Sequence, residues 1–151
     1  MVDDAFDPRR DARSRVYEYR ILNAPAPSPF WRRHAWHVPE PLDARAMDEA
    51  AAALIGEHDF AAFRGADAEP VHSTVRRVLE SRVDGRPVLV YRIEATAFLK
   101  HMVRNIAGTL VEVGRGERAP GAMRDLLAGR DRTRAGATAP AHGLMLVAIR
   151  Y

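Results

Sequence analysis

The sequence contains no cysteine. Disulfides and thiolate-ligated zinc are therefore excluded, which fits the reducing cytoplasm expected for this chain. Lysine is nearly absent too: of 23 basic residues only Lys100 is lysine, and the rest are arginine. No apolar run approaches the roughly 18 residues that a membrane span requires. Residues 1–10 are acidic and then basic without an apolar core, and are expected not to form a signal peptide. Neither an internal repeat nor a low-complexity linker divides the chain. One domain over residues 1–151, long enough for a single sizeable core, is expected.

Apolar residues make up 47% of the chain and charged residues 28%, the balance of an ordinary globular domain. The formal charge is only +3, yet the pI is about 9.8. Arginine carries planar, bidentate donors suited to phosphate, so a nucleic-acid partner is one reading of that excess. A genome that writes arginine in place of lysine is the other, and charge alone does not separate them.

Periodicity places the elements. In residues 15–22, Tyr17, Tyr19 and Ile21 alternate with Glu18 and Arg20, the pattern of a half-buried strand. Residues 24–41 hold five prolines and predict no regular structure. Asp43 then reads as a helix N-cap, with Leu42 and Met47 placed as a hydrophobic staple around it. Met47, Ala50, Ala51, Leu54 and Ile55 continue the apolar face, and Gly56 is the expected stop. Residues 74–83 and 88–97 predict two strands joined at Asp84-Gly85, a favoured hairpin turn. A helix through about residue 113 has Met102, Ile106, Leu110 and Val113 as its stripe and ends at Gly114 and Gly116. A short helix over 120–128 follows, with proline at its start. Residues 143–149 form a continuous apolar run, expected of a central strand covered on both faces. The order β-α-β-β-α-α-β predicts an α+β fold, with helices on one face of a largely antiparallel sheet.

Five blocks, in order, resemble one family. Phe6-Asp-Pro-Arg-Arg-Asp-Ala, with Arg15 and Tyr17-Glu-Tyr, is similar to the opening of the C-terminal half of TruA-type tRNA pseudouridine synthases. Leu42-Asp43 with Met47, Leu54-Ile-Gly-Glu-His-Asp-Phe and Phe63 resemble the next block, and Thr74-Val-Arg the one after it. The most diagnostic is Phe98-Leu-Lys-His-Met-Val-Arg-Asn-Ile-Ala-Gly, and Thr138-Ala-Pro-Ala-His-Gly-Leu-Met-Leu resembles the closing strand.

The resemblance implies isomerisation of uridine to pseudouridine in the tRNA anticodon stem-loop, with no cofactor and no metal. It implies an aspartate nucleophile, a base that leaves C1′ and rejoins it through C5, and a target nucleotide flipped from its stack. Carried across residue by residue, Tyr17 stacks on the base, Arg104 pairs with the catalytic aspartate, and Leu144 walls the uracil pocket. Arg9, Arg10, Arg15, Arg76, Lys100 and Arg115 are candidate phosphate contacts. Without the resemblance, Tyr17 reads as a core tyrosine, Arg104 as a solvated helix charge and Leu144 as a core strand residue. The family's N-terminal half, with its Gly-Arg-Thr-Asp-Ala-Gly motif and the nucleophile, is expected to be missing. A superficially similar stretch, Gly129-Arg-Asp-Arg-Thr-Arg-Ala-Gly, puts Arg134 where that aspartate belongs. Asp7, Asp11 and Asp131 lie near basic residues, but nothing singles one out as a substitute.

The isolated chain is therefore expected to be inactive. Its expected partners are tRNA, the missing half and a second copy in a homodimer. The reading from another class is a non-catalytic RNA-binding or dimerisation module left by truncation, with an apolar sheet edge or face uncovered. His34 and His37, with His58 or His72, make a weak metal set lacking a completing acid, and Ser73, His58 and Asp59 lack the setting of a hydrolase triad.

Overall fold

Alternation in the first strand sets the architecture. Between residues 17 and 21, Tyr17, Tyr19 and Ile21 face the helices, while Glu18 and Arg20 carry charge on the opposite face. The computed structural model describes residues 5–151, so part of the stretch 1–10 lies outside the described residues. β1 (Ser14–Asn23) runs through the middle of a six-stranded sheet. One flank pairs antiparallel with β5 (Val88–Ala95), from Arg15↔Ala95 to Leu22↔Val88. The other flank is shared. Its N-terminal part pairs antiparallel with β6 (Leu144–Arg150), and its last three residues pair parallel with β2 (Trp36–Val38). Beyond β5 come β4 (Val75–Asp84) and β3 (Gly56–Asp59).

Three helices cover one face. In α1 (Ala44–Ala52) the Asp43 carboxylate accepts from the Ala46 amide at 3.0 Å, satisfying an amide that has no partner within the helix. Leu42 and Met47 meet Gly114, the last residue of α2 (Met102–Gly114): a Cβ there would lie 2.6 Å from Met47 Sδ. α3 (Ala122–Gly129) closes the layer against α1 and β3. Tyr19, Ile21, Tyr91 and Ile93 from the sheet pack with Met47, Leu54, Ile106 and Leu110, and all are fully buried. On the other face Arg92 bridges Glu18 (3.2 Å) and Glu80 (3.4 Å), while Arg20 and Arg82 extend the lattice. Such half-exposed pairs contribute about 0–1 kcal/mol each, so the helix face carries the stability.

The fold class is α+β with a mostly antiparallel sheet, but the element order differs from that expected. β2 lies inside the proline-rich stretch 24–41, where Asn23 Nδ2 donates to the carbonyls of Val38 (3.0 Å) and Glu40 (2.7 Å) and draws three residues alongside β1. Gly56 does not stop the helix. α1 ends at Ala52, and Gly56, at φ +108°, turns the chain into β3. Ile55 is accordingly 47% exposed instead of continuing the apolar face. The largest correction concerns β6: among the described residues it pairs with β1 alone and is an edge strand, with Met145, Leu146, Val147 and Ile149 exposed.

α2 is buried nearly all round because the segment 135–139 lies across it. At Gly108 a Cβ would sit 1.7 Å from the Ala137 carbonyl oxygen, and at Gly136 one would sit 2.9 Å from the Thr109 backbone. Gly108→Ala is expected to destabilise the chain by about 1–3 kcal/mol or more, because backbone must move. Gly121, in open space at φ −64°, is the control. Gly121→Ala is expected to be neutral or slightly stabilising, and equal urea midpoints for the two variants would contradict the packing described here.

Candidate active site

The sequence motif Phe98-Leu-Lys-His-Met-Val-Arg becomes a bend followed by the first turn of α2. His101 precedes the helix at φ 60°, a left-handed conformation rare for a residue with a Cβ. The bend is held by Gly65, whose amide donates to the Lys100 carbonyl at 2.9 Å and whose missing side chain makes room for the His101 ring. It turns Phe98, His101 and Arg104 toward β1 and β6, and there they enclose a cavity of about 220 Å³.

Tyr17, Arg104 and Leu144 all line that cavity, with Phe98, Met102 and Ala141. The structure thus brings together the three residues singled out for catalysis and base binding. Tyr17 meets Phe98 in a T-shaped contact, ring centroids 4.9 Å apart and planes at 83°. Such a pair contributes about 0.5–1.5 kcal/mol beyond area burial and fixes the phenol's orientation. The cavity is smaller than the roughly 300–1,000 Å³ of drug-sized sites, the scale of a single base.

Arg104 is aimed by the backbone. Its Nε donates to the Ala139 carbonyl at 2.8 Å, and the Ala139 amide donates back to the Arg104 carbonyl at 3.0 Å. Its two terminal nitrogens have no hydrogen bond or ion pair among the described residues. Among the described residues no Asp or Glu lines the cavity. Asp7, Asp11 and Asp131 are committed elsewhere: Asp7 accepts from the Arg9 and Arg10 amides, Asp11 from the Asp7 amide, and Asp131 from the Thr133 amide and hydroxyl.

Beneath Arg104, the buried Tyr19 hydroxyl donates to the Pro140 carbonyl at 2.6 Å. Burial pushes its pKa far above the ordinary tyrosine value, while the nearby Arg104 charge pulls the other way. Asn105 completes the support. Its Nδ2 donates to the Phe63 carbonyl (2.7 Å), and its Oδ1 accepts from Thr138 Oγ1 (2.6 Å) and Arg132 Nη2 (3.1 Å). Arg132, in the stretch that superficially resembles the catalytic motif, also donates to the Gly136 carbonyl at 2.8 Å. That stretch is a clamp on α2. The sequence reading missed Tyr19, Asn105, Arg132 and His101. Asn105, polar at a helix position that the structure buries, was the one legible hint.

The phosphate-contact candidates are scattered. Arg9 and Arg10 are exposed on the turn before β1, and Arg15 donates to the Arg9 carbonyl. Lys100, beside the bend, lies 3.8 Å from Asp67. Arg76 is bonded to the Ser73 and Val75 carbonyls at the start of β4. Arg115 is at the other end of α2 from the cavity, 3.5 Å from Glu40. His58 and His37 each have a backbone carbonyl partner, and among the described residues no three metal-capable side chains converge. No helix among the described residues is long and apolar enough to cross a membrane.

A sequence profile described as tRNA pseudouridine synthase matches residues 50–151, two thirds of the chain and the part holding Arg104 and Leu144. The chain belongs to that family. A tRNA pseudouridine synthase A of Myxococcus xanthus is 48% identical over 152 residues, covering 99% of this chain and 57% of its own length. Proteins of the same name from Geotalea uraniireducens and Acidiphilium cryptum are each 46% identical over 97% of this chain, which spans 60% and 58% of them. This synthase-family chain thus spans little more than half the length of the curated relatives it matches.

Tyr19 makes the support testable through pH. Its folded pKa, like that of the buried Tyr91, is raised, so above about pH 10 the unfolded chain ionises while the folded chain does not. Stability is therefore full below about pH 10 and falls as pH rises beyond it. Tyr19→Phe is expected to lose about 1 kcal/mol at neutral pH and to shallow the alkaline decline. An unchanged alkaline slope, read from urea midpoints on either side of about pH 10, would contradict the burial of this hydroxyl.

Proposed function

We propose that this chain forms the base-binding wall of a uridine-to-pseudouridine isomerase acting on the tRNA anticodon stem-loop, and that the nucleophilic aspartate comes from a segment outside these residues. The observation that carries the reading is a base-sized cavity with a fixed phenol, an apolar wall and a guanidinium lacking an anion. Tyr17 stacks on the flipped uracil near C5, Leu144 closes one side, and Arg104 receives the aspartate. A guanidinium in that position keeps the carboxylate ionised and directs it at C1′ through bidentate donation. The carboxylate attacks C1′ and N1 leaves with the bonding pair; the base rotates, C5 attacks C1′ and expels the carboxylate, and the proton lost from C5 is balanced by one taken up at N1. Arg9, Arg10, Arg15, Arg76, Lys100 and Arg115 serve as phosphate contacts in this reading, with Lys100 at the cavity's edge.

The edge strand β6 supports a covering segment. Met145, Leu146, Val147 and Ile149 are exposed along a strand whose outer side has no partner among the described residues. Leu146 lies opposite Tyr17 in register, so whatever covers the edge lies beside the cavity. The same exposure favours the second reading, an RNA-binding or dimerising module without catalysis. Proteins manage long apolar edges by covering them, so self-association of the isolated chain is expected. A strict monomer at micromolar concentration by sedimentation velocity would count against both readings of the edge.

Activity separates the two. The purified chain alone is expected to form no pseudouridine on tRNA. Fusion to the part of the Myxococcus xanthus relative outside the match is expected to restore turnover. In that fusion Arg104→Ala is expected to lower kcat by about 100-fold or more. Pseudouridine formation by the isolated chain, or full turnover in the Arg104→Ala fusion, would sink the division of labour proposed here.

A further inference from the structure

Residues 28–37 form a surface that the cavity does not use. The Ser28 carbonyl accepts from the Trp31 and Arg32 amides, and the Trp31 carbonyl accepts from those of His34 and Ala35, all at 2.9–3.2 Å. This compact turn is tied to the body at two points: His37 Nε2 pairs with the Ala24 carbonyl at 2.8 Å, and His142 Nε2 with the Ala35 carbonyl at 3.0 Å. The second tie joins the turn to the segment whose Ala141 and Leu144 line the cavity. A hollow of about 310 Å³, lined by Leu22, Pro27, Trp31, Trp36 and His142, lies under the turn.

At its tip Phe30 is 80% exposed and meets Trp31 in a T-shaped contact at 5.5 Å. Arg32, Arg33 and His34 follow, all exposed, and none of their side chains has a hydrogen bond or ion pair among the described residues. Between Glu18 and Glu40 the sequence contains no acidic residue. An exposed aromatic on a rigid turn beside unpaired arginines suits an anionic, stackable ligand. A hydrophobic protein partner would leave both arginines and the histidine desolvated without counter-charges.

We infer that this turn is a second RNA-contacting site, in which Phe30 stacks on an unpaired nucleotide flanking the target uridine while Arg32 and Arg33 hold the phosphates beside it. The inference rests on the proposed tRNA reading and deepens it. The tie through His142 connects the turn to the cavity wall, so a nucleotide held on Phe30 helps to set the register in which its neighbour enters the cavity.

The test is a fluorescence-anisotropy titration of the purified chain with a labelled RNA hairpin carrying a tRNA anticodon stem and loop. Phe30→Ala is expected to weaken binding about 5- to 100-fold. Arg32→Ala with Arg33→Ala is expected to lower the slope of log affinity against log salt by about 1.4, two single-strand phosphate contacts. Arg124→Ala, on α3, is expected to leave affinity unchanged, and circular dichroism checks that each exposed-site variant is folded. Wild-type affinity and salt slope in both turn variants, with Tyr17→Ala still weakening the complex, overturns this site and leaves the proposed function standing. No binding by the unaltered chain overturns both. Loss of self-association in Phe30→Ala with RNA affinity intact makes the turn a contact between copies, and also overturns the inference.

Discussion

The backbone of segment 135–140 lying on α2 is the contact on which the rest of the site depends. Two glycines, Gly108 below and Gly136 above, let chain approach chain at distances that a side chain would forbid. The approach leaves polar groups inside, and they are answered locally. Asn105 bonds three ways, the Thr109 hydroxyl accepts from the Gly136 amide at 2.9 Å, and Arg132 spans the strap. Buried polar networks of this kind tolerate little loss, since each missing partner leaves another group desolvated and unpaired. The strap in turn sets the Ala139 and Pro140 carbonyls, and those orient Arg104 and receive the Tyr19 hydroxyl. Function at the cavity is thus downstream of backbone packing some residues away.

Much of this fold can be read in the sequence where a period or a cap is local. β1 and β5 alternate and Asp43 caps α1 as its chemistry predicts, while the β4–β5 connection falls one residue later than expected, at residues 85–87, with Asp84 paired to Val90 inside the strands. The failures share a cause. β2 and β3 are three and four residues long and exist because a neighbour pairs with them, which no local period records. For β6, an unbroken apolar run is ambiguous: it describes a strand covered on both faces in the assembled protein, whichever chain segments do the covering. Among the described residues β6 pairs with β1 alone, so this apolar run stands at an edge.

The site was legible in an uneven way. Tyr17, Arg104 and Leu144 lie in different elements more than a hundred residues apart at the extremes, and only resemblance to a family placed them in one cavity. Composition and periodicity put Tyr17 in the core and Arg104 on a solvated helix face. Tyr17 does pack against a core-lining phenylalanine, so the plain reading captured its contacts and missed its exposure to the cavity. Arg132 and Asn105 escaped notice because their partners come from residues 63 to 138 and meet only on folding. The stretch around Arg132, misleading as a motif, is where α2 is clamped.

The terminal donors of Arg104 line the cavity, and among the described residues no carboxylate meets them. A solvated helix arginine would be free to change rotamer. Arg104 is instead held by its Nε on Ala139, a bond that fixes the plane of the fork while leaving two donors unused. In the proposed function the aspartate carboxylate meets those two donors. Leu146 in the exposed edge lies opposite Tyr17, next to the same cavity, and an apolar edge also awaits a partner. One covering segment that adds a strand to β6 and extends a carboxylate over its end would satisfy both demands at once. In the proposed function the unpaired charge and the uncovered strand are thus two parts of a single interface.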